Sequence, residues 1–481
     1  MGGGSSRAAE GSSTRVLDRH NLAPSPSTQP DPWDLDALRK AAIASASSFG
    51  MSPDAMATLM DRRASQARPD LVKLLRIAPG IQAGLSLYSG FKFASRKACQ
   101  DRALLKTLKL ENGSGEFIIA GVFDGHGIDG HKVAAFVADH IWKVVLEQLN
   151  KDSEDIVTVL DKSFHLVNKQ LSSYANRNRG SIEIALSGTT GTCCVVNLRN
   201  PVEIYVANVG DSQGILCSET MILPLTYLHN FEDPFECERI IARGGIVDQI
   251  SANGTKAGPK RCFRSYTSPS PGLAVSRSFG DTDAHDIGCT CAPDITVLSR
   301  EPGEDLIILA SDGVWDVLGG AYVNNFLRSG PMDESRLQHL ILEAAKRWIF
   351  SHAGVTDDIS LVFISFSGLA SLPSSEDVKE LDKGIGIIPP EDLKLDEKSA
   401  VDSPVPGDRE TSVRFGPLHL PSISLPNISS FSVTLDSIVR PGRTDSATLS
   451  RTVTDTLPSS NPVDQTLPTD SSKEKRDENV A

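Results

Sequence analysis

The sequence predicts packed β-sheets with helices on their outer faces, from three observations. Apolar runs of strand length recur through the middle of the chain, at Glu116–Phe123, 191–198, 202–208, Leu306–Ala310 and 359–366. Between the first and second of these runs stand two consecutive helical patterns, over 130–150 and 155–174, with no strand separating them. Regular strand–helix–strand alternation is absent, so sheets stacked on one another fit better than a single parallel sheet.

Taken in order, residues 1–30 are small, polar and rich in Pro and Ser, and are expected to be disordered. Asp31-Pro-Trp-Asp34 precedes an Ala-rich stretch to about Ser48, read as a helix. Ser52-Pro-Asp-Ala opens a second through about Arg63. Residues 70–77 are expected to form a third, ended by Pro79-Gly80. Strand-like texture begins at Gly84, with runs at 87–93 and 102–110 and a turn at Glu111-Asn-Gly-Ser-Gly115. In the first long helix Val133, Phe136, Val137, Ile141 and Val144 recur at helical spacing; in the second, Ile156, Val159, Leu160 and Phe164 do so. Residues 191–198 and 202–208 read as a hairpin through Arg199-Asn-Pro201, and 211–216 continues the sheet. A short helix over 233–243 ends at Gly244-Gly245. Residues 249–272, rich in Gly, Ser and Pro and basic at Lys256, Lys260, Arg261 and Arg264, read as a surface flap. Helical segments follow at 315–326 and 333–350, the latter with acids in its first turn, where the helix dipole favours them. Beyond Gly368 the chain turns to Ser, Thr, Pro and acid, with Phe415 and Phe431 as its aromatics, and 369–481 is expected to be a disordered tail.

Composition narrows the function. The chain has 481 residues and 40% hydrophobic content, enough for a real core, and a net charge of −13, which argues against nucleic acid as the main partner. Its eight cysteines show no CxxC pair and read as free thiols of a reducing compartment. No run is long and apolar enough to span a membrane. Met1-Gly2 followed by Ser6 fits an N-myristoylation signal on Gly2, so a cytoplasmic protein with weak, reversible membrane association through one acyl chain is expected.

One stretch, Phe123-Asp-Gly-His-Gly127, concentrates chemistry. A buried strand ends on an acid, followed by a glycine that leaves its carbonyl open and an imidazole. Other acids occupy equivalent places beside apolar strands: Asp101, Asp211, Asp281, Asp312 and the pair Asp357-Asp358. Converging at one end of a domain, they would repel unless neutralised, and Mg²⁺ or Mn²⁺ takes carboxylate, carbonyl and water oxygens. A pair of such ions about 3.5–4 Å apart is a recognised hydrolytic arrangement.

These segments resemble the metal-dependent Ser/Thr protein phosphatases of the PPM, or type 2C, family, across residues 84–368. The matching stretches are Ser95-Arg-Lys-Ala-Cys-Gln-Asp101, Val122-Phe-Asp-Gly-His-Gly127, Ser187-Gly-Thr-Thr-Gly191, Ala207-Asn-Val-Gly-Asp-Ser212, Glu238-Arg-Ile-Ile-Ala-Arg-Gly-Gly245, Pro271-Gly-Leu-Ala-Val-Ser-Arg-Ser-Phe-Gly-Asp281, Leu309-Ala-Ser-Asp-Gly-Val-Trp-Asp-Val-Leu318 and Thr356-Asp-Asp-Ile-Ser360. The resemblance implies an α+β fold: a central β-sandwich of two antiparallel sheets flanked by helices, here with flexible N- and C-terminal extensions and a helical segment over 31–83. It implies hydrolysis of phosphoserine and phosphothreonine on proteins by direct attack of water activated by two Mg²⁺ or Mn²⁺ ions, with a weaker third, in a monomer. Asp124 resembles the bridging ligand, and Gly125 offers its carbonyl. Asp312 and Asp357 resemble further metal ligands, Asp101 is counted among the metal-site acids, and Asp211 and Asp281 resemble ligands of the third ion. His126 matches the proposed general acid and Arg96 the phosphate clamp; the flap cations would meet the phosphorylated partner. The sequence departs from the family at Gln100, where an acid is usual, at Leu228 and at Gln213. A pseudophosphatase that binds phosphoproteins without turnover is the alternative, and the presence of Asp124, Asp312 and Asp357 argues against it.

Overall fold

Two stacked sheets form the centre of the computed structural model, which describes residues 12–16, 25–26, 34–366 (except 93–94, 97, 152–154 and 253–254), 377 and 379–381. The first runs in the order Ser13–Val16, Asp294–Ser299, Glu203–Val209, Gly191–Asn197, Glu116–Phe123, Arg102–Lys109. The second runs Ser25–Pro26, Met221–Pro224, Gln213–Cys217, Leu306–Ala310, Ile359–Ser365, Ile81–Tyr88, Leu71–Ala78. All pairings are antiparallel except that of Ser13–Val16 with Asp294–Ser299.

Both faces of each sheet are covered, which explains the near-continuous apolar runs. In Glu116–Phe123, Ile118, Ala120 and Val122 point between the sheets and meet Leu85, Leu309 and Val362. Ile119 and Phe123 point the other way, onto Val133, Val137 and Ile141 of helix Gly130–Asn150 and Leu160 and Phe164 of helix Ile156–Arg177. The second sheet turns Ile308, Leu361 and Phe363 outward onto Leu337, Ile341 and Trp348 of helix Glu334–Ser351. Each buried Leu or Ile contributes roughly 1.5–3 kcal/mol, so the layers are held by burial first.

Register decides where the strand ends lie. Arg102 opposes Phe123, so the start of Arg102–Lys109 lies beside the end of Glu116–Phe123. Glu203–Val209 is antiparallel to Gly191–Asn197, itself antiparallel to Glu116–Phe123, so its end falls at the same edge. In the second sheet Ala310 opposes Leu361, which brings the end of Leu306–Ala310 to the start of Ile359–Ser365. The residues just beyond these termini are Asp101, Asp124, Asp211, Asp312 and Asp357.

Several expectations are corrected. Residues 70–77 are not a third helix but the edge strand Leu71–Ala78, paired with Ile81–Tyr88. The two residues Pro79-Gly80, with Gly80 at φ 77°, close that hairpin, so the sheet begins before residue 84. The helices before it are Leu35–Ala44, capped by Asp34, and Pro53–Gln66, capped by Ser52, and they pack on Ile349 of the last helix. Ser13–Val16, read as disordered, is a strand: Ser13 Oγ donates to Asp294 at 2.6 Å and Arg15 pairs with Asp294 at 3.1 Å. Leu381, within the segment read as a coreless tail, is 2% exposed in the inter-sheet core, and Glu380 pairs with Lys73. The flap is a three-stranded antiparallel sheet, Ile246–Ala252, Thr255–Ser265 and Ser268–Leu273. Gly2 and residues 382–481 lie outside the described residues.

Candidate active site

Asp124 ends its strand with its backbone fixed on both sides. Its N–H donates to Thr190 Oγ1 at 3.0 Å, and its carbonyl accepts from Thr189 Oγ1 and Thr190 N, each at 2.9 Å. The chain then enters a small sheet in which Gly125–His126 pairs with Gly188–Thr189, and that in turn with Phe279–Gly280. A Cβ on Gly125 would lie 2.5 Å from Gly130 O and 2.6 Å from Gln100 O, so only glycine lets the loop close here. A Cβ on Gly188 would lie 2.0 Å from Asp281 Oδ2, so that glycine makes room for Asp281 to reach across.

Asp281, which the resemblance makes a ligand of a third ion, reaches the imidazole of His126. Its Oδ2 lies 2.6 Å from His126 Nε2 and accepts from Ser278 Oγ at 2.6 Å. It is 2% exposed and sits in the left-handed region at φ 44°. Burial alone would lower the pKa of His126, but the charge and hydrogen bond of Asp281, with the charge of Asp211, raise it overall, against a smaller lowering by Arg261.

The remaining acids feel one another. Burial, then the charges of Asp101, Asp312, Asp357 and Asp211, hold Asp124 well above the usual carboxylate range. Burial, then Asp357, Asp211 and Asp316, do the same to Asp312. Asp211 is raised by burial and by Asp357, partly offset by its own backbone N–H and by His126. Asp101, 1% exposed, is pushed to about 7 by burial and Asp358, with the hydroxyls of Ser311 and Ser360 acting in the opposite direction. Asp124, Asp211, Asp312 and Asp357 keep part of their surface open, as ligands at the bottom of a cleft would.

This donor set fits a hard divalent cation. Oδ1 of Asp312 is buried with no hydrogen-bond partner, and both carboxylate oxygens of Asp101 are buried with only the Ser311 and Ser360 hydroxyls to act on them, short of a full hydrogen bond, an expensive arrangement for acids unless a cation compensates it. Carboxylates with the Gly125 carbonyl suit Mg²⁺ or Mn²⁺ rather than a thiol-seeking metal. Among the described residues no three acid, histidine or cysteine side chains are drawn together as a finished cage.

Other expected residues lie around this cluster. Arg96 stands in the short strand Ser95–Arg96, paired with Phe91–Lys92; its side chain is outside the described residues. The flap cations are committed locally: Lys256 to Asp248 at 2.5 Å, Lys260 to Glu232 at 3.0 Å, Arg261 to Gly272 O at 2.8 Å and Arg264 to Asp286 at 3.3 Å. Leu228 is exposed at 40%, away from any ligand role, and Gln213 opens a strand opposite Ala310.

One neighbour, Asp316, was not singled out in the sequence, and two that were, Asp358 and Gln100, take roles the sequence did not show. Asp316 is solvent-open by its surface yet pushed to about 7 by the surrounding protein and the charges of Asp211 and Asp357. Its i,i+4 spacing from Asp312 was the available signal. Asp358, 2% exposed, accepts from Gly90 N at 2.7 Å and Gln100 N at 2.9 Å and so anchors the neighbouring segments. Gln100, in place of an acid, donates its amide to Gly127 O at 2.8 Å, a bond that a carboxylate could not make.

The family model described as "Protein phosphatase 2C" matches residues 88–349. The chain belongs to the protein phosphatase 2C family. Two Arabidopsis thaliana relatives agree. "Probable protein phosphatase 2C 34" is 31% identical over 275 residues, 54% of this chain and 75% of the relative; "Probable protein phosphatase 2C 73" is 30% identical over 269 residues, 51% and 70%. The solved serine-threonine phosphatase 2C from Toxoplasma gondii shares the fold, with TM-score 0.50 and 20% identity, over 61% of this chain and 98% of that one. The protein is thus a serine/threonine protein phosphatase of the 2C family, with the sandwich architecture expected. Its family match stops short of Leu71–Ala78 and Ile359–Ser365, strands that are nevertheless integral to the second sheet.

Proposed function

We propose that this 2C-family phosphatase hydrolyses phosphoserine and phosphothreonine on proteins at the Asp124–Asp312–Asp357 cluster, by direct attack of water on phosphorus. The convergence of Asp124, Asp211, Asp312 and Asp357 at one edge of the strand ends carries the reading, and the upward pKa shifts of Asp124, Asp312 and Asp211 support it, since bound cations would relieve such crowding.

Asp124, the Gly125 carbonyl, Asp312 and Asp357 would hold two Mg²⁺ or Mn²⁺ ions, with Asp101 outside them and Asp211 and Asp316 towards a weaker third. When bound, these ions neutralise phosphoryl oxygens and lower the pKa of the attacking water. Arg96 orients the phosphoryl group through paired N–H donors. His126, held by Asp281, carries the proton that the departing serine or threonine oxygen needs. Asp281 keeps the ring in place and favours its protonated form. Gln100 fixes Gly127 and with it the turn that carries His126.

The test is phosphate release from a phosphothreonine peptide by the full chain with Mn²⁺, and again after chelation. Turnover that chelation abolishes and Mn²⁺ restores supports the reading; binding of the phosphopeptide without release under any metal condition refutes it. The chain is further proposed to act as a monomer and to touch membranes through myristate on Gly2, on the strength of the Met1-Gly2 and Ser6 pattern.

A further inference from the structure

Beneath the flap sheet lies a small apolar cluster formed by Phe231, Ile240, Cys262, Ala284, Ile287 and Cys289. Cys262 lies in the flap strand Thr255–Ser265, and Cys289 lies just beyond the helical turn Thr282–His285 that follows Asp281. Their sulfurs are 3.7 Å apart, across 27 residues of chain, and the two are 0% and 5% exposed. Both thiols feel the charge of Asp281, which places the pair close to the residue that holds His126. Arg261, the neighbour of Cys262, acts electrostatically on His126 from the same strand. Arg264 ties the strand to Asp286 at 3.3 Å.

We propose that Cys262 and Cys289 form a peroxide-sensitive dithiol whose oxidation to a disulfide shifts the flap strand against the His126–Asp281 pair and lowers turnover. One thiolate attacks hydrogen peroxide, giving a sulfenic acid and water. The second thiol then displaces water from the sulfenic acid to form the S–S bond. Two thiols lose two protons and two electrons in all, and one peroxide becomes two waters. The hydrogen bond from Cys289 lowers the pKa of Cys262, against the effect of burial, and makes it the thiol that ionises first. A disulfide holds its sulfurs about 2.05 Å apart, so the pair must close by roughly 1.6 Å. Side-chain rotation absorbs part of this, and the rest moves the flap strand relative to the turn after Asp281. A displacement of about 1 Å at a catalytic group costs on the order of 10²-fold, so a loss of about 10- to 100-fold in kcat/KM is expected. Because both sulfurs are buried, the flap sheet must lift before peroxide reaches them, and oxidation should be slow.

The experiment uses the reduced full chain, treated with hydrogen peroxide before metal is added, then with catalase. Peptide mapping reads the linkage, and phosphopeptide hydrolysis with Mn²⁺ reads activity before and after dithiothreitol. The same is done on Cys289→Ser and Cys262→Ser. The expected result is a Cys262–Cys289 linkage in the wild type, with a loss of activity that dithiothreitol reverses and both variants escape. Both thiols remaining alkylatable after peroxide would overturn the proposal, as would a linkage without loss of activity or an equal loss in Cys289→Ser. The mapping is independent of turnover, so an inactive preparation still tests the linkage itself.

Discussion

Replacing Asp281 by asparagine keeps the shape of the side chain and removes its charge. In the wild type its Oδ2 lies 2.6 Å from His126 Nε2, and Asp281 is 2% exposed. Taking about 4 Å between charge centres and an effective dielectric near 20, the pair is worth up to about 4 kcal/mol. Asp211 still supports the imidazolium in the variant while burial opposes it, so the His126 pKa falls. A general acid works only while protonated. Activity on a phosphothreonine peptide should therefore be lost, as pH rises, at a lower pH than in the wild type. At pH 8 the loss should approach about 10²-fold, the lower end of what general acid catalysis supplies. Hydrolysis of p-nitrophenyl phosphate, whose leaving group needs no proton, should change far less. The assay is kcat against pH on both substrates at saturating Mn²⁺, beside a thermal melt. An alkaline limb that stays in place, or equal losses on the two substrates, would refute the role given to Asp281 and His126.

Three more predictions concern the proton for the leaving group, the Glu236 network and the N-terminus. His126→Gln should lower phosphopeptide hydrolysis by about 10²–10⁴-fold and spare p-nitrophenyl phosphate, whereas Arg96→Ala should lower both by similar factors; kcat/KM on the two substrates separates them. Glu236, 3% exposed, pairs with Arg239 at 2.7 Å and Arg277 at 2.8 Å, and these hydrogen bonds overcome burial and depress its pKa. A depressed carboxylate contributes stability that is present above its unfolded pKa of about 4.3 and lost as pH falls below it. Glu236→Gln should thus cost about 3–5 kcal/mol in denaturant unfolding at pH 7, and progressively less only as pH falls from about 4.3 through the depressed folded pKa, and an unchanged midpoint at pH 7 would remove the network from the account. Gly2→Ala should abolish membrane sedimentation of the full chain in cells that carry the acyltransferase, and mass spectrometry showing an unacylated wild-type Gly2 would end that proposal.

The acids of the site were legible in the sequence because each stands directly beside an apolar run, and antiparallel register then gathers the run ends. What stayed hidden depended on contacts between short pieces. The His126–Asp281 pair arises from three two-residue strands, too short to show any periodicity. Ser13–Val16 is a polar four-residue strand held by Arg15 and Ser13 on Asp294, a partner about 280 residues away. Leu71–Ala78 was mistaken for a helix because Leu71, Leu74, Leu75 and Ala78 have helical spacing, while Pro79-Gly80 serves equally as a helix stop and a hairpin turn. Leu381 entered the core from a segment whose average composition argues against folding, a reminder that one buried side chain leaves no mark on composition.

The central claim is that Asp124 organises a cation site on which turnover depends. Calorimetric titration of Mn²⁺ into the full chain and into Asp124→Asn tests it most directly, with phosphate release measured on the same samples. The account predicts saturable Mn²⁺ binding by the wild type, with binding weakened at least tenfold and turnover lost together in the variant. Unchanged Mn²⁺ binding and unchanged turnover in Asp124→Asn would contradict it.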